Sequence, residues 1–209
     1  MNRVLPANFI IIILICKNAV FACVDGIDNI IWIEDIFQGE NGVRLKNLGI
    51  ATYDWKKECS HVRGKGAITI PGYYKVISGT LEFRQKLYAK KMKFALSLFK
   101  NVWWIFGKTI CENGKSRLIF VDDDHCVIDV CSDLPDLCSG VRGLTPGIHD
   151  LPSLLPDLKY ISPSHAFYFH GRWLAKVGIL HDDLEVGRIR IQDNNYVDVK
   201  IDKAPRSDL

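Results

Sequence analysis

From Gly66 onward the chain alternates apolar and polar positions with a period of two, the signature of half-buried β-strands. Ile68 and Ile70 flank Thr69, and Pro71-Gly72 then turns the chain. Tyr74 and Val76 continue the pattern, with Leu81 and Phe83 after Ser78-Gly79. The clearest ladder lies between Lys91 and Lys100, with Met92, Phe94, Leu96 and Leu98 on one face and Lys93, Ala95 and Ser97 on the other. Leu118 to Val121 is a short apolar run, and Phe167 and Phe169 alternate with Tyr168. Trp173, Ala175, Val177 and Ile179 form a further ladder that ends at His181-Asp182-Asp183. Ile189 and Ile191 flank Arg190, and Val197, Val199 and Ile201 close the series. About seven or eight strands separated by turn signals predict an all-β chain, an antiparallel sandwich or barrel. No helical stretches of about 10–15 residues separate the strands, which disfavours a parallel α/β fold. The one helix the pattern predicts is short, around Val127 to Cys131. Gly140 to Ser164 reads as a loop punctuated by Pro146, Pro152, Pro156 and Pro163.

The N-terminal part follows a different logic. Arg3 precedes an uninterrupted apolar run, Phe9 to Cys16, and Ala19-Val20-Phe21-Ala22 offers small residues at the spacing signal peptidase reads. Residues 1–22 are therefore expected to be a secretory signal peptide, the alternative being an N-terminal anchor. Residues 23–50 read as an N-terminal extension. Ile30-Ile31-Trp32-Ile33 is apolar, but Gly26, Gly39, Gly42 and Gly49 interrupt the rest, leaving a short strand or helix against the main domain, residues 51–209.

Composition narrows the class. The 209 residues are 48% hydrophobic and 24% charged, which excludes a disordered chain and suffices for a sizeable core. A formal charge of +3 is small for a dedicated nucleic-acid binder, so no nucleic-acid partner is expected. Loss of residues 1–22 removes Arg3 and Lys17 and takes Lys+Arg from 27 to 25 against 24 Asp+Glu. It also removes Cys16, leaving Cys23, Cys59, Cys111, Cys126, Cys131 and Cys138. Six cysteines allow about 15 pairings. Cys-x-x-Cys pairs are missing and export is expected, so disulfides fit better than a structural zinc.

Candidate chemistry is sparse. Gly107-Lys108-Thr109 ends like a phosphate-binding loop, but Val102 stands where its first glycine belongs. Asp122-Asp123-Asp124-His125 reads as a solvated turn sooner than a metal site. His165, His170 and His181 lack ligand spacing, and no nucleophile elbow occurs. No catalytic residue, metal or cofactor is expected, and the chain does not read as an enzyme. The aromatic cluster Val102-Trp103-Trp104-Ile105-Phe106 is either a buried strand or a rim that touches a membrane, since indole suits that interface. Trp103, Trp104 and Phe106 are the membrane-rim candidates. Leu151-Pro152-Ser153-Leu154-Leu155-Pro156 is a second apolar stretch whose prolines oppose regular pairing; its leucines either line an opening or tuck onto the core.

Several of these segments resemble the ganglioside GM2 activator proteins, in the family's order from about residue 52 to 192. Thr52-Tyr53-Asp54-Trp55 with Cys59 resembles their Ser-Trp-Asp-x-Cys opening, and Ile68-Thr69-Ile70-Pro71-Gly72 their Pro-Gly step. Trp104-Ile105, Cys111, Cys126 and Ile128-Asp129-Val130-Cys131 are similar to the family's Trp-Ile and Cys-Asp-Val stretch. Gly147 to Pro152 and Leu155-Pro156-Asp157-Leu158 resemble its Leu-Pro and Pro-Asp-Leu segment, and Gly187-Arg188-Ile189-Arg190-Ile191 its Gly-Cys-Ile-Lys-Ile strand.

The resemblance implies a disulfide-stapled β-cup of the MD-2-related lipid-recognition type, whose sheets splay around an apolar pocket. It implies a secreted or lysosomal, non-enzymatic protein that lifts a glycosphingolipid or phospholipid from a membrane surface and presents it to a hydrolase such as a lysosomal glycosidase. The alternative is an extracellular protein-interaction sandwich without lipid cargo. The pocket candidates are Phe83, Phe94, Leu96, Leu98, Trp104, Phe120, Leu155, Phe167, Phe169, Trp173 and Val177, with plain core packing the competing role for each. The resemblance also implies Cys111–Cys126 and Cys131–Cys138. Arg188 stands where the family has the cysteine that pairs with the counterpart of Cys59, so Cys23 becomes the expected partner of Cys59.

Overall fold

The structure, a computed structural model, describes residues 23–39, 42–103, 106–119, 122–141, 145–161, 170–191 and 195–202. The strands are β1 (Ile30–Asp35), β2 (Val43–Asp54), β3 (His61–Val62), β4 (Lys65–Gly66), β5 (Ile68–Ile70), β6 (Gly72–Phe83), β7 (Met92–Trp103), β8 (Phe106–Glu112), β9 (Lys115–Ser116), β10 (Val127–Asp129), β11 (Gly147–Asp150), β12 (Lys159–Ile161), β13 (Gly171–His181), β14 (Leu184–Ile191) and β15 (Val197–Ile201). Among the described residues, eight of these are five residues or longer. β6, β7, β13, β14 and β15 fall where the alternation predicts strands, while β1 and β2 precede the alternating region.

Among the described residues, thirteen strands form one sheet, nine of them in the order β11-β6-β2-β1-β14-β13-β7-β8-β9. β12 lies beside β6, β10 beside β7, and β15 bridges β13 to β5. The β15–β5 pair is parallel and the other pairings are antiparallel. This sheet folds over on itself. Phe83 of β6 and Val43 of β2 pack with Ile179 of β13 and Phe94 of β7, although β1 and β14 separate the two pairs in the hydrogen-bonded order. The result is a two-walled antiparallel sandwich with its apolar faces turned toward each other.

β1 sits at the junction of the two walls. Ile33 lies opposite Leu48 of β2 on one side and Ile191 of β14 on the other. The stretch 23–50 thus supplies β1 and the first two-thirds of β2. Its start is anchored by polar contacts. The fully buried Asn29 donates from Nδ2 to Thr52 O at 3.0 Å, and Thr52 Oγ1 donates to Asn29 O at 3.1 Å. Such a pair satisfies groups whose burial would otherwise be costly.

Three disulfides staple the fold: Cys23–Cys59, Cys111–Cys126 and Cys131–Cys138. The first ties the start of the described chain to the turn after β2. The second joins β8 to the segment before β10, and the third closes a loop over the end of β7. Disulfides of this kind persist in oxidising compartments.

Three local readings need correction. Val127–Asp129 is not helical; it forms β10, because the exposed edge of β7 offers Lys93 to Ala95 as hydrogen-bond partners. The helices lie elsewhere, at Pro135–Val141 and Leu151–Leu154. The second starts where Asp150 accepts the Ser153 N–H at 3.0 Å and a proline occupies the first turn, where its missing N–H costs nothing. Leu118–Ile119 adds no strand; Ile119 is fully exposed beyond β9.

Candidate functional site

The inner face of the β7–β13–β14 wall can be read from its register. Phe94 lies opposite Ile179, Leu96 opposite Val177, and Leu98 opposite Ala175. Val177 in turn faces Ile189 of β14. Side chains alternate along a strand, so Trp173, Ala175, Val177 and Ile179 share one face with Phe94, Leu96 and Leu98.

The two ends of this wall are packed. At one end Trp173, only 4% exposed, joins Ile31, Ile70, Val197 and Val199, with Leu98 and Ile110 against them. At the other end Phe83, 5% exposed, joins Val43, Ile179 and Val186, with Met92 and Phe94 against them. A third cluster of Leu48, Val76 and Leu151 covers the opposite wall. Ile33 is shared by the first and third clusters, and Leu45 and Leu81 by the second and third. The clusters therefore border one common interior.

The middle of the wall behaves differently. Leu96, Val177 and Ile189 form a continuous apolar row, yet all three are only half-buried and belong to none of the buried clusters. A filled sandwich would bury such a central row almost completely. Among the described residues, the enclosed apolar cavity lies in the second end cluster and not along this row; lined by Val43, Leu81, Phe83, Leu87 and Met92, it measures only about 20 Å³. That holds roughly one water and no acyl chain. A larger cleft of about 320 Å³ is polar, lined by Asp54, Ser60, His61, Thr69, Lys200 and Asp202 among others, where β5 meets β15.

Of the sequence-derived pocket residues, Phe83 and Phe94 meet in one end cluster, Trp173 and Leu98 in the other. Leu155 packs partly buried against the third, beside Leu151 and Leu154. Leu96 and Val177 are the half-buried central pair. Trp104, Phe120, Phe167 and Phe169 lie outside the described residues. Trp103 and Phe106 face each other at the end of the β7–β8 hairpin, but only their backbones are described.

Sequence reading left Ile30–Ile33 as a short strand or helix, which the structure resolves as strand β1, and missed the wall residues of β2, namely Val43, Leu45 and Leu48. The signal is present but broken. Val43 and Leu45 alternate, then the register shifts between Lys46 and Gly49, where Asn47 takes a left-handed φ of 52°. After that bulge the apolar residues fall on even positions, Leu48 and Ile50, so the period-two pattern cancels itself.

No family model matches the chain, and no curated protein matches it. One solved structure similar to it is that of chicken MD-1 complexed with lipid IVa. That likeness has a TM-score of 0.31 at 9% identity and covers 80% of this chain and 98% of that one. At that distance it says nothing of what this chain binds.

Proposed function

We propose that the chain is a non-enzymatic lipid-binding and lipid-transfer protein of the MD-2-related lipid-recognition type. It extracts a glycolipid or phospholipid from a membrane and carries it between the two walls, in the secretory or lysosomal compartment. Presentation of that lipid to a hydrolase is the finer part of the reading, supported by the ordered resemblance to the GM2 activator proteins.

The observation that carries the proposal is the half-buried row Leu96–Val177–Ile189 between packed ends. An apolar strip exposed inside a sandwich is stabilised by an apolar occupant. Each buried methylene contributes about 0.8 kcal/mol, so a chain of a dozen or so carbons offsets its loss from the bilayer. The walls must part further than the 20 Å³ cavity allows.

That small cavity favours a second reading, a sandwich that binds a protein partner and no lipid. Organic extraction of the purified protein followed by mass spectrometry separates the two. A stoichiometric lipid is expected. Lipid-free protein that also fails to move a fluorescent lipid between vesicles would sink the carrier reading.

A further inference from the structure

The segment joining β6 to β7 together with the first two residues of β7, Arg84–Lys93, holds five cations (Arg84, Lys86, Lys90, Lys91 and Lys93) and no acid. It crosses directly over the apolar interior, because Leu87 and Met92 line the small cavity together with Phe83. The segment is tied down along one side by the β13–β14 turn. The Tyr88 backbone N–H donates to His181 Nε2 at 3.1 Å, and the two rings stack with centroids 6.3 Å apart. The Asp182 N–H donates to Lys91 O at 3.2 Å. Lys91 Nζ lies 2.9 Å from the Asp182 carboxylate and Lys93 Nζ 2.8 Å from that of Asp183.

These contacts sort the cations. Lys91 and Lys93 are neutralised by the turn, and Arg84 lies in the field of Glu82. Lys86 and Lys90 are exposed and have no carboxylate within ion-pair distance among the described residues; Lys86 rests 5.4 Å from the Tyr88 ring. Apolar groups stand out at the same end of the strands. Tyr88 is 52% exposed, Leu184 beside His181 is 71%, and Ile148 beside Glu82 is 66%.

We propose that this end of the molecule, centred on Lys86, Tyr88 and Lys90, docks onto an anionic lipid bilayer. The proposal rests on the carrier reading and adds which face meets the membrane and what charge it reads. Cations alone would suit any polyanion. Cations interleaved with exposed Tyr88, Leu184 and Ile148 fit a surface that offers negative headgroups over an apolar interior, which neither a sulfated glycan nor a nucleic acid provides. The tyrosine ring and the lysine stems can enter the headgroup layer while their polar ends stay in water. Docked this way, the bilayer lies against a segment whose Leu87 and Met92 line the apolar cavity, so a lipid would pass inward under Leu87. The face is at the opposite end of β7 from the Trp103–Phe106 hairpin, so the two cannot meet one flat membrane together.

Vesicle flotation tests this with the full mature chain, phosphatidylcholine vesicles, and vesicles containing about 30% phosphatidylserine. Binding to the anionic vesicles is expected, lost in high salt, and weakened more than about tenfold in the double variant Lys86→Glu/Lys90→Glu. Both side chains are exposed, and a thermal melt equal to the parent's confirms that the variant is folded. Any of these results would overturn the proposal: equal binding by the double variant, equal binding to neutral vesicles, or loss of binding only in Trp104→Ala. Capture by heparin beads with no vesicle binding would also overturn it, pointing to a glycan. A soluble fluorescent fatty acid, added without any bilayer, keeps the carrier reading separate. The double variant should bind it like the parent, whereas failure of the parent to bind it counts against the carrier reading itself.

Discussion

Val177 stands directly opposite Leu96 across the β7–β13 ladder, and neither is fully buried although both point between the walls. Farther along β13, Ile179 and Trp173 are 4% exposed, whereas Phe94, Leu98 and Ala175 beside the pair are themselves partly buried. The partial burial of this central pair makes a direct test of the proposed carrier role possible. In a close-packed core, enlarging a side chain costs about 1–3 kcal/mol through strain. In a hollow one it fills space. Val177→Trp is therefore expected to change the urea unfolding free energy by less than about 1 kcal/mol while lowering lipid uptake at least about tenfold. A large destabilisation with unchanged uptake would show that the row is ordinary core.

A second prediction concerns the strand at the junction of the walls. Deleting residues 23–35 removes β1 and with it Ile31 and Ile33, and strips β2 and β14 of their shared partner. Two long strand edges would then be bare, a state that favours aggregation. Expression of chain 36–209 is expected to give insoluble protein, while the double variant Cys23→Ser/Cys59→Ser keeps β1 and folds with a loss of about 2–4 kcal/mol. Soluble, cooperatively unfolding chain 36–209 would show instead that the segment is a dispensable appendage.

What the sequence revealed and concealed follows from how continuous each pattern is. The ladders of β7 and β13 run without a register break across Phe94–Leu98 and Trp173–Ile179, so their faces could be assigned from alternation alone. β2 could not, because the bulge at Asn47 moves its apolar residues from odd to even positions. The strand β10 has only three residues, too few for any period, and exists because β7 has an edge to offer. The half-exposure of Leu96 and Val177 is a property of the space between two walls, and no one-dimensional pattern encodes it. The cationic segment after β6 was present in the composition, but its meaning depends on Asp182 and Asp183 folding back to neutralise part of it.

Gly72 gives a third prediction. It opens β6 immediately after Pro71, and a Cβ built there would sit 2.3 Å from Thr69 O and 2.5 Å from Tyr53 O. Both neighbours are backbone atoms held in sheet pairing, so neither can yield cheaply. Gly72→Ala is expected to destabilise by at least about 2 kcal/mol, at the upper end of what overpacking costs. By comparison, Gly147→Ala meets nothing within 4 Å but carries a φ of +145°, so its penalty is purely conformational. Chemical denaturation of the two variants should rank them with Gly72→Ala the weaker fold.

The last prediction is a pH dependence with a defined sign. Asp129 Oδ1 accepts the Ser132 N–H at 3.0 Å and the Cys131 N–H at 2.9 Å, fixing the turn that leads into the Cys131–Cys138 disulfide. Hydrogen bonds from the Ser132 backbone, then from its side chain, together with the Cys131 N–H and the charge on Lys93, hold this carboxyl below the ordinary carboxylate range. A group whose value is lower in the folded chain stabilises the fold while ionised. Its contribution is complete above the unfolded value, near pH 4, and fades as pH falls through the folded value. Asp129→Asn keeps an acceptor but removes the charge, so it should cost about 0.5–1 kcal/mol, discounted for solvent screening at a half-exposed site. That cost is expected to be the same at pH 7 and pH 5, and to be smaller at pH 2. The turn therefore stays intact through the whole range between a neutral extracellular medium and an acidic organelle. Urea unfolding of parent and variant at the three pH values checks the sign. A penalty that grows toward low pH would show that the turn is held by something other than this carboxylate.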